Sequence, residues 1–250
     1  VYKRQGAGVG IGILLGIKKT QNKLTDEKWL NINDLPYTIA MVVLDIAAPI
    51  FLMFGIANTN SANVSLINNF EIVATSVIAL LIFKEKISKR LWIAIVLVLL
   101  SSVILSFEGM EALALNKGSM FVLCACICWG IENNCTRSIS DKSSEEIVLI
   151  KGIFSGIGSI VIAFIIGEHL PEILYILAVM LLGFVAYGLS INFYIMAQKN
   201  LGAAKTSAFY SIAPFLGVGF SFIILGERPT VKFYIALGIM IISTLIMIKD

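Results

Sequence analysis

The sequence predicts an all-α polytopic membrane protein built as an inverted repeat of two five-helix halves, and three observations carry that prediction. Mean hydropathy is +0.92. Apolar residues fill 58% of the 250 positions, or about 63% with glycine counted in and tyrosine out, against about 45–50% for a soluble domain. The stretch "IFKEKISKRLWIA" from Ile82 is echoed 142 positions later by "ILGERPTVKFYIA" from Ile224.

The helices follow in order. Stretches able to cross a ~30 Å hydrocarbon layer at about 1.5 Å per residue run near 36–57, 62–83, 91–107, 119–136, 147–167, 172–197, 203–225 and 231–248. A further apolar piece, Gly6 to Ile17, has 12 residues. It is too short to cross, and the basic run "KKTQNK" follows it with no cleavage site of small residues. It therefore reads as a helix cut by truncation rather than a signal peptide, making about nine helices here. Alternating the loops puts fourteen Lys and Arg on one side and three, Lys117, Arg228 and Lys232, on the other, while Lys3 and Arg4 precede the first piece. The positive-inside rule then sets the C-terminus in the cytoplasm. A chain that starts outside implies a missing first helix, so the intact protein is expected to have ten.

Several function classes are excluded. The longest loop, Lys18 to Leu35, has 18 residues and holds no soluble domain. There is no Gly-rich phosphate loop, no HExxH and no basic-aromatic run, so no nucleotide cofactor, metal or nucleic-acid partner is expected. His169 sits beside Glu168 in an external loop without a catalytic partner. Cys124, Cys126, Cys128 and Cys135 share one helix, but Cys126 lies on the opposite face from the other three. They cannot close around one ion and read as small packing residues. The expected partners are a small-molecule substrate and the lipid bilayer, with the chain a monomer or a homodimer. Glycines at close-packing spacing, Gly8, Gly12 and Gly16 or Gly152 and Gly156, fit contacts within a bundle or between subunits alike.

The echo organises the chain. A shift of 142 pairs "NTNSANVSLINNFEIV" from Asn58 with "NLGAAKTSAFYSIAPF" from Asn200, Glu85 with Glu227, Ala94 with Ala236 and Ser101 with Ser243. Five hydrophobic segments lie between equivalent points, and an odd number turns the second copy over. That is the inverted repeat of secondary transporters, whose substrate site lies near the midplane. The copies are read as residues 1–108, lacking helix 1 and part of helix 2, and residues 118–250.

The residues also carry a family resemblance. A small-residue loop, a helix, then "KEKIS" or "GERPT" before an apolar helix resembles the paired EamA-like domains of the drug/metabolite transporter superfamily. The second copy is the most similar, with "LGAAKTSAFYSIAPFLGVGFSFIILGERPTVKFYIALGIMIISTLIM" from Leu201. "CWGIENNCTRSIS" from Cys128 resembles the sixth helix of a bacterial branch of these permeases. The resemblance implies ten helices in two inverted halves and a permease of the prokaryotic cytoplasmic membrane. In the first copy Ile72, preceded by Glu71, stands where the second has Pro214, so it lacks the residue that breaks the helix beside the cavity.

Asp45 and Glu71 are the most informative positions. A carboxylate near the bilayer centre costs roughly 2.5–3.5 kcal/mol on insertion scales, so both are expected to face the protein interior or a water-filled cavity. Removal from water also disfavours the ionised form of a carboxyl, which makes each a candidate for substrate contact or for carrying a coupling proton. Asn68, Trp129, Glu132, Asn133, Tyr187, Asn192 and Tyr210 complete the candidate substrate or proton site, with Glu132 ranked lower because it is expected to pair with Arg137 or reach the interface. Interhelical hydrogen bonding is the competing role for each. With Lys151 near a helix end as the sole intramembrane cation, a phosphate-bearing substrate is disfavoured and a cationic or zwitterionic one favoured. The reading is a secondary transporter of a small polar or amphipathic metabolite working by alternating access, and not an enzyme. A channel would need a polar stripe along several spans, and a membrane enzyme would need paired catalytic groups near an interface. Glu85 and Glu227 fall at opposite membrane faces and are expected to pair locally with Lys86 and Arg228.

Overall fold

A computed structural model describes residues 2–20, 28–59, 61–106, 116–165, 167, 172–225 and 230–249. His169, Glu227 and Arg228 lie outside the described residues. Within them the chain is helical, as its composition requires: α1 (Tyr2–Thr20), α2 (Leu35–Asn58), α3 (Ser61–Asn68), α4 (Phe70–Leu81), α5 (Lys89–Ser106), α6 (Lys117–Ser138), α7 (Ser144–Ile165), α8 (Ile173–Leu182), a π-helical segment (Gly183–Leu189), α9 (Ser190–Leu201), α10 (Ala203–Tyr210), α11 (Ala213–Leu225) and α12 (Val231–Ile248). Five stretches among the described residues are long and apolar enough to cross a membrane, namely Ile32–Asn58, Asn63–Leu81, Ser144–Ile165, Ile173–Leu201 and Val231–Ile248. On α8, Ile173, Leu174, Leu177, Leu181 and Leu182 are all more than half-exposed. A contiguous apolar face of that kind is a liability in water and ordinary in lipid.

The repeat is written into the helix boundaries. Shifting α3 by 142 gives the bounds of α10, and shifting α5 gives those of α12. The contacts follow the same relation, since α5 packs on α12 and α4 on α10. Ser101 Oγ donates to the carbonyl of Ala236 at 2.5 Å and Ser243 Oγ to that of Ala94 at 2.8 Å. Each bond is the other carried through the repeat.

Both predicted spans 62–83 and 203–225 are broken, which corrects the expectation drawn from Pro214. The second copy stops α10 at Tyr210 and restarts at Ala213, with Pro214 in the first turn of α11, where its missing N–H costs nothing. The first copy breaks at Asn69, without proline. Asn69 Nδ2 donates to the carbonyl of Ser65 at 3.1 Å, and the equivalent Ser211 Oγ donates to that of Ser207 at 3.0 Å. A polar side chain bonding back one turn competes for the helical carbonyl; that contact stands at the break in both copies, and proline does not.

The chain divides into two compact units that cut across its order, Val1–Ala47 with Cys135–Asn200, and Ala48–Asn134 with Leu201–Asp250. In the first, α1 packs against α7, α8 and the π-helical segment. The apolar piece expected over Gly6–Ile17 is part of a 19-residue helix, because the flanking Arg4, Gln5, Lys18 and Lys19 continue its turns. A Cβ on Gly152 would stand 2.5 Å from the backbone nitrogen of Gly8, and one on Gly6 2.0 Å from the carbonyl oxygen of Met180. The Gly8 and Gly152 spacings therefore serve contacts within this chain. In the second unit, Ile72, Leu91, Ile95, Val98, Phe215, Phe233 and Met240 form the core between α4, α5, α11 and α12.

Glu85 has a role beyond the local one expected of it. Lys84 takes a left-handed φ of 54°, and Glu85 Oε2 then accepts from the backbone N–H of Ala203 at 3.1 Å. Its carboxylate thus caps the amino end of α10, where helix dipole and free N–H groups favour an anion. Gly202 is glycine for two reasons, a φ of +82° and a Cβ that would fall 1.9 Å from Glu85 Oε1.

Candidate functional site

The nine predicted residues fall into the two units. The first holds Asp45, Tyr187 and Asn192; the second holds Asn68, Glu71, Trp129, Glu132, Asn133 and Tyr210.

Asp45 lies mid-way along α2 and is 3% exposed. Three elements aim donors at it. From α1, Arg4 places Nε 3.4 Å from Oδ2 and donates through Nη2 to the Asp45 carbonyl. From α7, Lys151 Nζ stands 3.8 Å from Oδ1. From the π-helical segment, the Tyr187 hydroxyl lies 3.2 Å from Oδ1 and 3.4 Å from Oδ2. The remaining arm of Arg4 donates through Nη1 to Ser159 Oγ at 3.1 Å, and Ser159 donates in turn to the carbonyl of Ser155. The α1–α7 glycine crossing makes this reach possible by bringing the Arg4 turn against the Gly152 turn.

Arg4 and Lys151 are 7% and 6% exposed, so Lys151 is not the sole buried cation that the sequence led one to expect. By sequence Arg4 belongs to the flank, because its charge precedes the apolar run at Gly6. A guanidinium that a neighbouring helix brings within reach of a buried carboxylate is instead drawn in by it, since ionised groups removed from water need a partner. The signal available beforehand was the offset itself: Asp45 and Tyr187 are 142 apart. They are repeat equivalents facing each other on the pseudo-two-fold axis.

The second unit treats its carboxylate differently. Glu71 stands in the first turn of α4, at the restart of the broken helix, where the dipole favours negative charge. Asn133 Nδ2 donates to Glu71 Oε1 at 3.2 Å and also lies 3.3 Å from Thr75 Oγ1. Asn134 Nδ2 donates to the carbonyls of Thr75 and Gly130 at 3.0 and 2.8 Å. Gly130 lets α6 pass this close, for a Cβ there would meet Ala74 at 3.0 Å. The carbonyls of Ile67 and Asn68 face Cys126 Sγ at 3.5 and 3.7 Å, so this thiol is held at the helix break.

Asn68 and Asn192 each bury a side-chain oxygen that accepts no hydrogen bond. Trp129 is half-buried one turn before Asn133. Glu132 is 3% exposed, and Arg137 donates to Ser140 Oγ at 3.3 Å. Tyr210 ends α10 and is 56% exposed. Residues missed by sequence reasoning are Arg4, Thr75, Ser155 and Ser159.

Repeated apolar helices, paired interruptions and charge buried between helices define a multi-pass helical membrane protein. The pattern of the EamA-like transporter family matches residues 6–107 and again residues 116–249. The chain belongs to the EamA-like transporter family. It is 29% identical over 193 residues to an uncharacterized transporter of Methanothermobacter thermautotrophicus, covering 73% of this chain and 55% of that protein. The chain thus spans about half the length of that relative. A solved crystal structure overlays with a TM-score of 0.79 at 13% identity, covering 98% of this chain and 85% of that one, a likeness of fold alone.

Proposed function

We propose that this protein is a secondary transporter that moves a small polar or amphipathic metabolite across the prokaryotic cytoplasmic membrane by alternating access, coupled to protons, with its C-terminus in the cytoplasm. The observation that carries the reading is the pair of helix breaks at Asn69 and Ser211, equivalent under the repeat and bonded back by the same one-turn contact. Interrupted helices in matching places of two inverted halves are the architecture in which transporters hold substrate and coupling ion. Glu71, at one of those breaks with a neutral amide donor beside it, is the residue we assign to the coupling proton. The excess of Lys and Arg in alternate loops supports the orientation.

Reconstituted liposomes test this directly. Metabolites that stabilise the purified protein in a thermal-shift screen should show saturable counterflow, which a passive pore does not give. Glu71→Gln should retain counterflow while losing uptake driven by a proton gradient. Unchanged coupling and affinity in that variant would remove Glu71 from the role.

A further inference from the structure

Arg4, Lys151 and Tyr187 come from three separate elements, and all three direct donors to one carboxylate. A planar guanidinium, an ammonium and a phenol are the groups that recognise a carboxylate wherever it comes from. Two further features show that the surroundings of Asp45 are provisioned for more hydrogen bonds than Asp45 makes. Lys151, Ser155 and Ser159 recur at four-residue spacing, which puts them on one stripe of α7; the outer two reach Asp45 and Arg4. Ser155 between them is 0% exposed, and its Oγ makes no hydrogen bond. Next to Arg4, Gln5 donates through Nε2 to the Gly156 carbonyl at 3.1 Å while its buried Oε1 accepts nothing. Buried polar atoms are nearly always satisfied, so two unfilled ones beside a converging donor set call for a guest. Tyr187 is moreover presented by a π-helical turn, a rare element concentrated at functional sites.

We propose that Arg4, Lys151 and Tyr187, with Ser155, form a binding site for the carboxylate of a small organic acid, and that Asp45 occupies this site as an internal stand-in. The ligand's carboxylate displaces that of Asp45 and accepts from Arg4, Lys151 and Ser155 Oγ. Gln5 Oε1 accepts from a hydroxyl or amino group adjacent to it. Of the substrate classes weighed from sequence, a zwitterion retains a place here and a simple cation does not. The physiological role of the site rests on the transport reading; its ability to hold a carboxylate does not.

Chemical rescue tests it. Asp45→Ala, purified in detergent, leaves the donors facing the vacated volume. Sodium acetate should raise its melting temperature saturably by several degrees, while sodium chloride at equal ionic strength should not. Wild-type protein, in which the Asp45 carboxylate competes for the same donors, should respond only weakly and at higher acetate, and adding Arg4→Gln should abolish the response of Asp45→Ala. Should Asp45→Ala fail to fold, Asp45→Asn replaces it and should bind acetate more weakly than Ala but above wild type. Equal responses to acetate and chloride, or a rise that survives Arg4→Gln, would overturn the proposal. Counterflow present without rescue removes this site alone, whereas rescue without counterflow removes the transport reading alone.

Discussion

The two copies of the repeat agree where residues lie off the pseudo-two-fold axis and differ where they meet on it. Ser101 does not face Ser243; each faces the backbone carbonyl of an alanine in the other copy. Donor and acceptor are different groups, so one sequence serves both copies. Position 45 meets position 187 directly. Like residues there would be untenable, because two carboxylates about 3 Å apart cannot both stay ionised and two tyrosines would leave Arg4 and Lys151 without a counter-charge. A duplicated unit must diverge on its own axis, and that divergence, Asp against Tyr, is where the chemistry has gathered.

The largest effect expected from breaking this comparison is at the axis. Asp45→Ala removes the anion from two buried cations and should cost about 3–5 kcal/mol. Tyr187→Phe removes one hydrogen bond to a charged group and should cost about 1.5 kcal/mol. Equilibrium unfolding in mixed micelles reads both. Equal losses would mean that the two equivalents carry equal weight and that the axis is not polarised toward the first copy.

Off the axis the opposite is expected. Ser101→Ala and Ser243→Ala each remove one interhelical bond, worth about 0.6 kcal/mol on average in membranes. The two variants should lose the same stability within error in the same measurement. A clear inequality would show that the α5–α12 contact is less symmetric than its geometry.

Much of the fold was legible because hydrophobic length and the offset of 142 are properties of the chain itself. Both helix interruptions are legible too, since Asn69 and Ser211 are polar and stand at equivalent positions; proline marks one copy alone, whereas back-bonding is what the copies share. The site was legible one residue at a time. Asp45 and Tyr187 stood out as polar residues in apolar helices, but Arg4 looked like a flank and Glu85 like a surface charge. Their partners lie 41 and 118 positions away, and no local pattern records a contact made across the fold. The repeat offset that pairs the loops also pairs Asp45 with Tyr187.

One substitution is expected to stabilise rather than destabilise, in the loop before Glu85. Lys84 is an exposed residue held at a left-handed φ of 54°, a conformation that costs a side-chain-bearing residue about 1–2 kcal/mol. The strain persists because the turn aims Glu85 at the amino end of α10. In the second copy the equivalent position is Gly226, a residue that adopts such a φ freely. Lys84→Gly should therefore stabilise the protein by up to about 1 kcal/mol, the relief of strain being partly offset by the greater freedom of glycine in the unfolded chain. The comparison sharpens with the outcome. A gain would mean that the first copy keeps a strained lysine where the sequence of the second has glycine. A loss would mean that the Lys84 side chain itself supports the turn that aims Glu85 at α10.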